Sequence, residues 1–504
     1  MMRMFILLLL LLAMHMPAVA GILPIGPGEY SGLHAAAADV RPGDTILFRS
    51  GTHNGGAHVR GLQGTAEAWI TITGEEGALI YGGTNGIQLS DPAYLRITHL
   101  AFDGQTGNGV NIDDGGDYET PARHLLIAFC EWRGINATGN NDMLKMSGVD
   151  SFTVRDCRFI NGSPGGSMID MVGCHYGHFE RNHFENAGSN CIQAKGGTRY
   201  IRIERNIFQN GGQRAINIGG STGLPYFRPP DADYEASDII VFANIFTGAT
   251  APIAYVGAVH CQVVNNTIWL PEKWAVRILQ ESADARFQTC GNNSFVNNLI
   301  VLDHRAAAPT FNVGPNTAPE SFLFSNNLWY NPDNAGWSGP NTPAPEIQAI
   351  IGSNPLLSAP AMLNGDFSLL PASPAIAAGS ATLLPADDFL GHPFNDPPSI
   401  GAIEGNVPTT SVGRPSAAGM FDVSVYPQPA RGQVWVRLQA AANAQVTLTV
   451  FDAQGRRIKT WKQTQGFSDE RTRRLSLESL PDGLYILVAQ SGRHSRLRPF
   501  LLLR

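Results

Sequence analysis

The segment FERNHF at 179–184 recurs as IERNIF at 203–208, as VFANIF at 241–246 and as VVNNTI at 263–268. Nine segments of this kind align between residues 96 and 329, spaced 22 to 38 residues apart. A short alternating strand that restarts at such intervals is typical of solenoids, in which each repeat forms one coil. One column of the alignment holds Leu100, Cys130, Cys157, Asn182, Asn206, Asn244, Asn266, Asn298 and Asn327. It predicts a buried asparagine ladder, because amide groups can hydrogen-bond to the coils above and below.

A second strand in each repeat aligns independently. Its segments are TNGIQLS, GNGVNID, NDMLKMSG, GSMIDMVG, SNCIQAKGG and QRAINIGG. Side chains alternate between the two faces of a strand. Two apolar columns are therefore predicted to face inward: Ile87, Val110, Leu144, Ile169, Ile192 and Ile216, and then Leu89, Ile112, Met146, Met171, Ala194 and Ile218.

The two ends of this repeat region have their own patterns. Residues 29–48 predict a short amphipathic helix followed by a Gly-Asp turn into a strand, which would cover the open end of the solenoid. The segment DFLGHPFNDPPSIGAIE at 388–404 would close the other end. The asparagine ladder, the pattern at 29–48 and the closing segment at 388–404 together resemble the pectate-lyase-like superfamily over residues 21–405. The resemblance implies an all-β fold, a single-stranded right-handed parallel β-helix.

The first residues predict export. Arg3 precedes an apolar run at 5–12, and Ala18, Val19 and Ala20 supply the small residues that a signal peptidase needs. We expect a signal peptide over 1–20. A membrane anchor is the alternative, although the run is shorter than the ~20 residues of a spanning helix.

Composition and charge narrow the class of protein. The chain has 504 residues with 55 Gly, 33 Pro and only 15% charged residues, which favours a loop-rich all-β protein. From Asp422 onward, 13 Lys or Arg stand against 6 Asp or Glu. Removing these and Arg3 from the totals of 35 and 42 leaves 21 basic and 36 acidic residues, a balance of −15, for the body. An acidic body argues against a nucleic-acid partner.

The C-terminal region reads as a separate domain. A linker rich in Ser, Thr, Gly and Pro is predicted over 406–421, and 422–504 predict a small Ig-like β-sandwich. From Tyr426-Pro427 through LPDGLY at 480–485 to the apolar terminus, this region resembles the type IX secretion system C-terminal sorting domain. The resemblance implies the type IX machinery as a partner and a secreted or cell-surface location. A carbohydrate-binding sandwich is the alternative.

Six cysteines, Cys130, Cys157, Cys174, Cys191, Cys261 and Cys290, show no zinc-binding spacing. Cys130 and Cys157 extend the ladder column as small buried residues, and a disulfide between them stays open.

Polar residues between the inward columns predict a site on the outer face. One outward column reads Gln88, Asn111, Lys145, Asp170, Gln193, Asn217 and, two repeats later, Arg277, and the next includes Asp113 and Lys195. Because coils lie ~4.8 Å apart and the two columns ~7 Å apart, Lys145, Asp170, Gln193, Lys195 and Asn217 would form one compact polar patch. The longest repeat inserts a loop that would offer Tyr226, Phe227 and Arg228 to a ligand.

Such a patch suits a lyase that cleaves an acidic, uronate-containing polysaccharide by β-elimination. The reaction needs a base for the C5 proton, a cation for the carboxylate and a proton for the leaving oxygen. IQAKGG followed by Arg214 resembles polysaccharide lyase family six, the alginate lyase and chondroitinase B group. The resemblance implies Lys195 as base and Arg214 as acid or relay; Lys145 or Arg214 would be the second cation that favours a neutral base. Substrate contacts would fall to Asn111, Gln193, Asn217, Tyr226, Arg228 and Arg277.

Several alternatives stand beside this prediction. Asp170 with Gln193 or Asn217 offers oxygen ligands for Ca²⁺, although the calcium site of family six is missing. Lys145 and Asp170 would equally form a plain cross-strand ion pair. Lys195 would then be a solvated lysine before a turn, and Arg214 would be a structural residue. A glycoside hydrolase would use Asp170 with Asp113 or Asp142, and a non-catalytic adhesin needs neither. We expect a monomer.

Overall fold

The computed structural model describes residues 20–405, except Thr138 and Asn140, and separate segments between residues 422 and 502. Residues 1–19 of the predicted signal peptide and the predicted linker at 406–421 lie outside the described residues. The chain divides into two compact units, Met1–Val407 and Pro408–Arg504.

The first unit is a right-handed parallel β-helix of about 13 turns. Three parallel sheets run along it, and every strand pairs with strands of neighbouring coils. Sheet 1 has ten strands: Ala57–Arg60, Ile87–Ser90, Val110–Asp113, Leu144–Ser147, Ser167–Val172, Asn190–Lys195, Arg214–Gly219, Ala251–Val256, Val276–Leu279 and Phe311–Val313.

The other two sheets complete each coil. Sheet 2 comprises Ile22–Ile25, Thr45–Phe48, Ile70–Gly74, Ala93–Thr98, Ala122–Ala128, Val149–Arg155, His175–Glu180, Thr198–Glu204, Ala236–Ser237, Ile240–Phe242, Ala258–Val259, Gln262–Val264, Ser294–Val296, Leu323–Ser325 and Glu346–Ile347. Sheet 3 comprises Gly51–Asn54, Ala78–Tyr81, Ala101–Asp103, Glu131–Arg133, Arg158–Ile160, His183–Glu185, Ile207–Gln209, Ile245–Thr247, Thr267–Trp269, Leu299–Val301, Leu328–Tyr330 and Ile350–Ile351.

Both predicted end structures of the β-helix are present. The α-helix Leu33–Asp39 buries Leu33 and Ala36 at the start of the β-helix, as the pattern at 29–48 predicts. Short 3₁₀ helices lie at Leu224–Tyr226 and Pro319–Ser321, and Leu357–Ala359 pairs antiparallel with Asp366–Leu369. At the closing segment, buried Asp388 accepts hydrogen bonds from three backbone N–H groups, those of Leu390, His392 and Glu404. No described helix is long and apolar enough to cross a membrane.

The asparagine ladder lies inside the solenoid, as predicted. The amide of Asn206 donates to Asn244 Oδ1 at 3.0 Å, and the amide of Asn244 donates to Asn266 Oδ1 at 3.0 Å. The backbone N–H of each residue donates to the same acceptor oxygen, so every coil is tied twice to the next. The ladder ends at Glu346, whose Oε1 accepts from Asn327 at 2.7 Å. All six cysteines are buried and carry free thiols, which settles the open Cys130–Cys157 pairing against a disulfide.

Both predicted apolar columns face inward. Strand pairing places Ile192 directly opposite Ile169 and Ile216, and all three side chains are fully buried. Aromatic rings stack in the same way on the inner side of sheet 3; centroids of consecutive rings lie 4.7–5.1 Å apart along Phe102, Trp132, Phe159, Phe184, Phe208 and Phe246. Identical coil positions thus build continuous apolar columns.

The second unit is a small β-sandwich. One antiparallel sheet contains Asp422–Tyr426, Gln433–Gln439 and Arg471–Ser476, and the other contains Arg457–Gln463, Val446–Asp452, Gly483–Ser491 and His494–Leu502. Val436 of the first sheet and Leu448 of the second belong to one hydrophobic core, which agrees with the predicted Ig-like architecture. Of the predicted sorting motif, Pro427 and Asp482 lie outside the described residues.

Candidate functional site

The outward column of sheet 1 carries most of the predicted site residues. Strand pairing sets its members directly opposite one another in the order Gln88, Asn111, Lys145, Asp170, Gln193, Asn217, Ala254 and Arg277. Lys195 lies in the second outward column, two residues along the strand and opposite Val172. Both lysines therefore lie on the same side of the solenoid.

A single buried carboxylate joins the two lysines. Asp170 is 1% exposed, and its Oδ2 lies 3.1 Å from Lys145 Nζ. Its Oδ1 lies 3.3 Å from Lys195 Nζ, as an ion pair without hydrogen-bond alignment. Lys145 Nζ also donates to Asp142 Oδ2 at 3.0 Å. We name these four residues the Asp170 cluster.

The Asp170 cluster holds Lys145 in its charged form. Burial acts to lower the pKa of Lys145, but the carboxylates of Asp170 and Asp142 outweigh it and raise this pKa above its ordinary value. Burial, helped by the charge of Asp170, raises the pKa of Asp142 to about 6. The carboxylate of Asp170 lies between the ammonium groups of Lys145 and the predicted base Lys195, and the role of Lys145 as the second cation stays a prediction.

The residues around Asp170 do not match a calcium site. Ca²⁺ takes about six to eight oxygen ligands, whereas both oxygens of Asp170 face lysine ammonium groups. Among the described residues, no group of three or more His, Cys, Asp or Glu side chains is placed to hold a metal ion. The predicted Ca²⁺ stays a prediction that a titration has to test.

Amides line the cluster on the next coils. Gln193 Oε1 accepts from Ser167 Oγ at 3.2 Å and from Asn190 Nδ2 at 3.3 Å. Asn217 is 1% exposed, and its amide donates to Gly219 O at 3.2 Å. The amide of Asn111, three coils before Gln193, donates to Asp113 Oδ2 at 3.2 Å. Gln193 is the most accessible of the three to a ligand above Asp170, because Asn217 is buried and Asn111 is further away.

Two arginines follow the amides along the face. Arg214 Nη2 lies 2.7 Å from Glu281 Oε1, and its Nη1 donates to Asn217 Oδ1 at 3.1 Å. Arg277 donates through Nε to Asn312 Oδ1 at 2.8 Å. Sheet 1 thus brings Arg214 and Arg277 onto the face that bears the Asp170 cluster.

The inserted loop after Gly219 carries three predicted ligand contacts, and these differ in their exposure. Tyr226 is 67% exposed and stands at the surface, whereas Phe227 is fully buried. Arg228 turns inward, with Nη1 and Nη2 donating to the two oxygens of Asp150 at 2.7 and 2.9 Å. The predicted substrate contact of Arg228 is therefore corrected: its guanidinium is used up in a buried ion pair that anchors the loop.

Glu235 is a residue that the sequence prediction missed. It is fully buried, and its carboxylate accepts from Gly196 N at 2.9 Å and from Thr222 N at 2.9 Å. The hydroxyl groups of Thr222 and Ser282 also donate to it. These partners flank Lys195, the loop and Glu281, so one carboxylate connects three segments of the site. The only sequence signal was an acidic residue at the end of the inserted loop.

The carboxylates proposed for a hydrolase are poorly placed. Asp142 and Asp170 are 0% and 1% exposed, and both bind Lys145. Asp113 accepts from Gly115 N at 2.9 Å within its own turn. Hydrolysis of a glycosidic bond would need two accessible carboxyl groups on either side of the bond, and both predicted pairs, Asp170 with Asp113 and Asp170 with Asp142, include the buried Asp170.

Models of known protein families match part of each unit. Residues 85–268 match the family model for a right-handed beta helix region, and residues 424–501 match that for a secretion system C-terminal sorting domain. This chain is a right-handed β-helix protein with a secretion sorting domain. A sorting domain of this kind marks proteins that the type IX system exports, so the β-helix protein is secreted or attached to the cell surface.

Solved structures similar to the β-helix protein include several enzymes. An alginate lyase from Paenibacillus sp. str. FPU-7 is 16% identical with a TM-score of 0.35, covering 61% of this chain and 97% of its own. The pectate lyase Pel9A is 13% identical with a TM-score of 0.43, covering 77% and 97%. XylC in complex with xylose is 9% identical with a TM-score of 0.46, covering 77% and 98%. Likeness of this strength carries no information on activity. A comparison with curated protein sequences finds no match.

Proposed function

We propose that the β-helix domain binds an acidic, uronate-containing polysaccharide on the outer face of sheet 1 and cleaves it by β-elimination. The observation that carries the proposal is the concentration of cations on that face. Lys145, Lys195, Arg214 and Arg277 lie on four of six consecutive coils, in a body whose charge balance is −15. A cationic face on an acidic body favours an anionic ligand.

Each step of the elimination has a candidate residue. Lys195, as the neutral amine, takes the C5 proton, the electron pair forms the C4–C5 double bond, and the C4–O bond breaks. The leaving oxygen takes a proton from Arg214 or through it as a relay. Lys145 stays protonated between its two carboxylates and neutralises the substrate carboxylate, which makes the C5 proton more acidic.

The direct test is incubation with alginate, pectate and glycosaminoglycans, followed at the absorbance of unsaturated uronates. The unmodified protein should raise this absorbance on one polymer, and Lys195→Ala should lower the rate by at least about 100-fold. Arg158→Ala is the matched control, because Arg158 is exposed on sheet 3 and pairs with Glu131 there. An unchanged absorbance on every polymer would refute cleavage.

Binding without cleavage is the second candidate, and one observation favours it. Both ammonium groups of the Asp170 cluster are ion-paired, and at Lys145 the two carboxylates outweigh burial and raise the pKa of its ammonium group. Such groups suit attraction of an anionic polymer better than proton abstraction. Glycan-array binding without unsaturated products would support an adhesin. Loss of this binding in Lys145→Ala combined with Lys195→Ala would place the contacts at the Asp170 cluster, and binding that survives the double substitution would place them elsewhere.

A further inference from the structure

Arg277 is a cation without a matching carboxylate. It lies in the outward column of sheet 1, opposite Ala254 and Asn312 on the neighbouring coils. Nε donates to Asn312 Oδ1 at 2.8 Å, which fixes the plane of the guanidinium. Among the described residues, no carboxylate lies within ion-pairing distance of Arg277, so its two terminal amino groups are available to an external acceptor.

Arg214 adds a second guanidinium group to the face of sheet 1 that bears Arg277. Its strand lies two coils before that of Arg277, with the strand Ala251–Val256 between them. Ala254 is fully buried beneath this part of the face. Glu281 pairs with Arg214, so the two guanidinium groups stand beside one carboxylate that only Arg214 contacts. Burial and then the charge of Arg214 hold the pKa of Arg277 below its ordinary value, as expected for a cation short of negative charge.

Trp274 forms one wall of this place. The guanidinium carbon of Arg277 lies 4.9 Å from the ring centroid of Trp274, and Lys273 Nζ lies 4.3 Å from it. Stacking on an aromatic ring restrains an arginine side chain and leaves its amino groups exposed at the edge. The guanidinium is thus held on two sides, by Asn312 and by Trp274.

We propose that Arg277 binds a second carboxylate of the same polymer, so that the polymer chain runs parallel to the solenoid axis. The planar guanidinium fork matches a carboxylate in a bidentate manner. The strand of Arg277 lies three coils after that of Lys195, which corresponds to ~14 Å along the axis at ~4.8 Å per coil. Carboxylates of the first and fourth residues of a uronate chain span a similar length. This inference rests on the proposed function and adds a minimum substrate length to it.

The test is calorimetric binding of uronate oligosaccharides from disaccharide to hexasaccharide, made from pectate and from alginate. Affinity should rise by about tenfold between trisaccharide and tetrasaccharide, the gain expected from one charge-assisted contact. Arg277→Ala should abolish this step and leave trisaccharide affinity unchanged. Arg277→Gln should do the same while keeping a donor for Asn312 and the packing on Trp274, which guards against a folding defect. Arg158→Ala should keep the step.

The outcomes separate the subsite from the proposed function. If the trisaccharide binds but the step is absent, or survives in Arg277→Gln, the subsite is wrong and the proposed function stands. If no uronate of any length binds the unmodified protein, the proposed function fails and the subsite fails with it. Loss of the step in Arg277→Gln but not in Arg158→Ala supports the subsite.

Discussion

The carboxylate of Glu235 accepts a hydrogen bond from the backbone N–H of Gly196 at 2.9 Å, directly after Lys195. Gly196 has a φ of +66°, so the chain turns sharply there in the left-handed region. The same carboxylate accepts from Thr222, at the start of the inserted loop, and from Ser282, next to the Arg214 partner Glu281. Glu235 is thus a positioning residue that ties Lys195 to the rest of the face.

Glu235→Gln tests this role. The glutamine keeps the size of the side chain but turns an amino group toward a hydrogen-bond donor, which should cost about 1–3 kcal/mol of unfolding free energy. Urea unfolding measures this, and limited proteolysis should cut the loop at 220–235 faster. For polymer cleavage by the variant, kcat should fall by a larger factor than KM rises, because Lys195 loses its position. Glu76→Gln, at an exposed site, is the control; equal behaviour of the two variants would contradict the role.

Lys145→Met should destabilise the fold more than Lys195→Met. Lys145 binds both Asp142 and Asp170, whereas Lys195 contacts Asp170 alone. Removing Lys145 leaves a buried carboxylate without its partner, at a cost of about 3–5 kcal/mol. Urea denaturation of the two variants gives the comparison. Equal losses would contradict the larger structural role of Lys145.

Asp142 makes stability depend on pH in a defined direction. Its pKa of about 6 exceeds the ordinary value of 3.8, so between these pH values the folded state holds a proton that the unfolded state has lost. Stability from this group is therefore full below pH ~4 and is lost as pH rises through ~6, by about 3 kcal/mol. Asp142→Asn should flatten this part of the profile in urea unfolding from pH 4 to 7. An identical slope in both proteins would show that Asp142 titrates normally.

Arg228→Ala should release the inserted loop. Its guanidinium donates to Asp150 and also to Gly173 O at 3.0 Å, so its loss leaves the mostly buried Asp150 without its main partner. We expect a loss of about 3–5 kcal/mol and rapid proteolysis near Tyr226. Arg228→Lys should recover part of the stability, since it restores the charge but not the two-oxygen contact. A loop that stays protected in Arg228→Ala would show that buried Phe227 suffices as anchor.

The order of the coils and the facing of each side chain could be predicted from the sequence alone. In a parallel in-register solenoid, residues that align in the repeats lie directly above one another, so alignment columns become spatial columns. Ile192 and Ile216 therefore point inward, and Lys145 and Asp170 lie side by side outside, as the two-residue alternation requires. The sorting domain could also be predicted from the sequence, because its motifs all lie within one C-terminal segment, residues 422–504.

Contacts made by the inserted loops were decided only by the tertiary structure. Glu235 and Ser282 lie 47 residues apart, and Arg228 and Asp150 lie 78 residues apart. Glu235, Ser282 and Arg228 lie in segments that do not repeat, so they have no column that would predict these contacts. Whether Arg228 faces a ligand or the core depends on the packing of its loop against Asp150, which no local pattern encodes. The ion pairs of Asp170 also depend on the tertiary structure. The sequence predicted that Asp170 lies next to Lys145 and Lys195. Its burial, which makes it the shared partner of both lysines, arises from the folded coils around it.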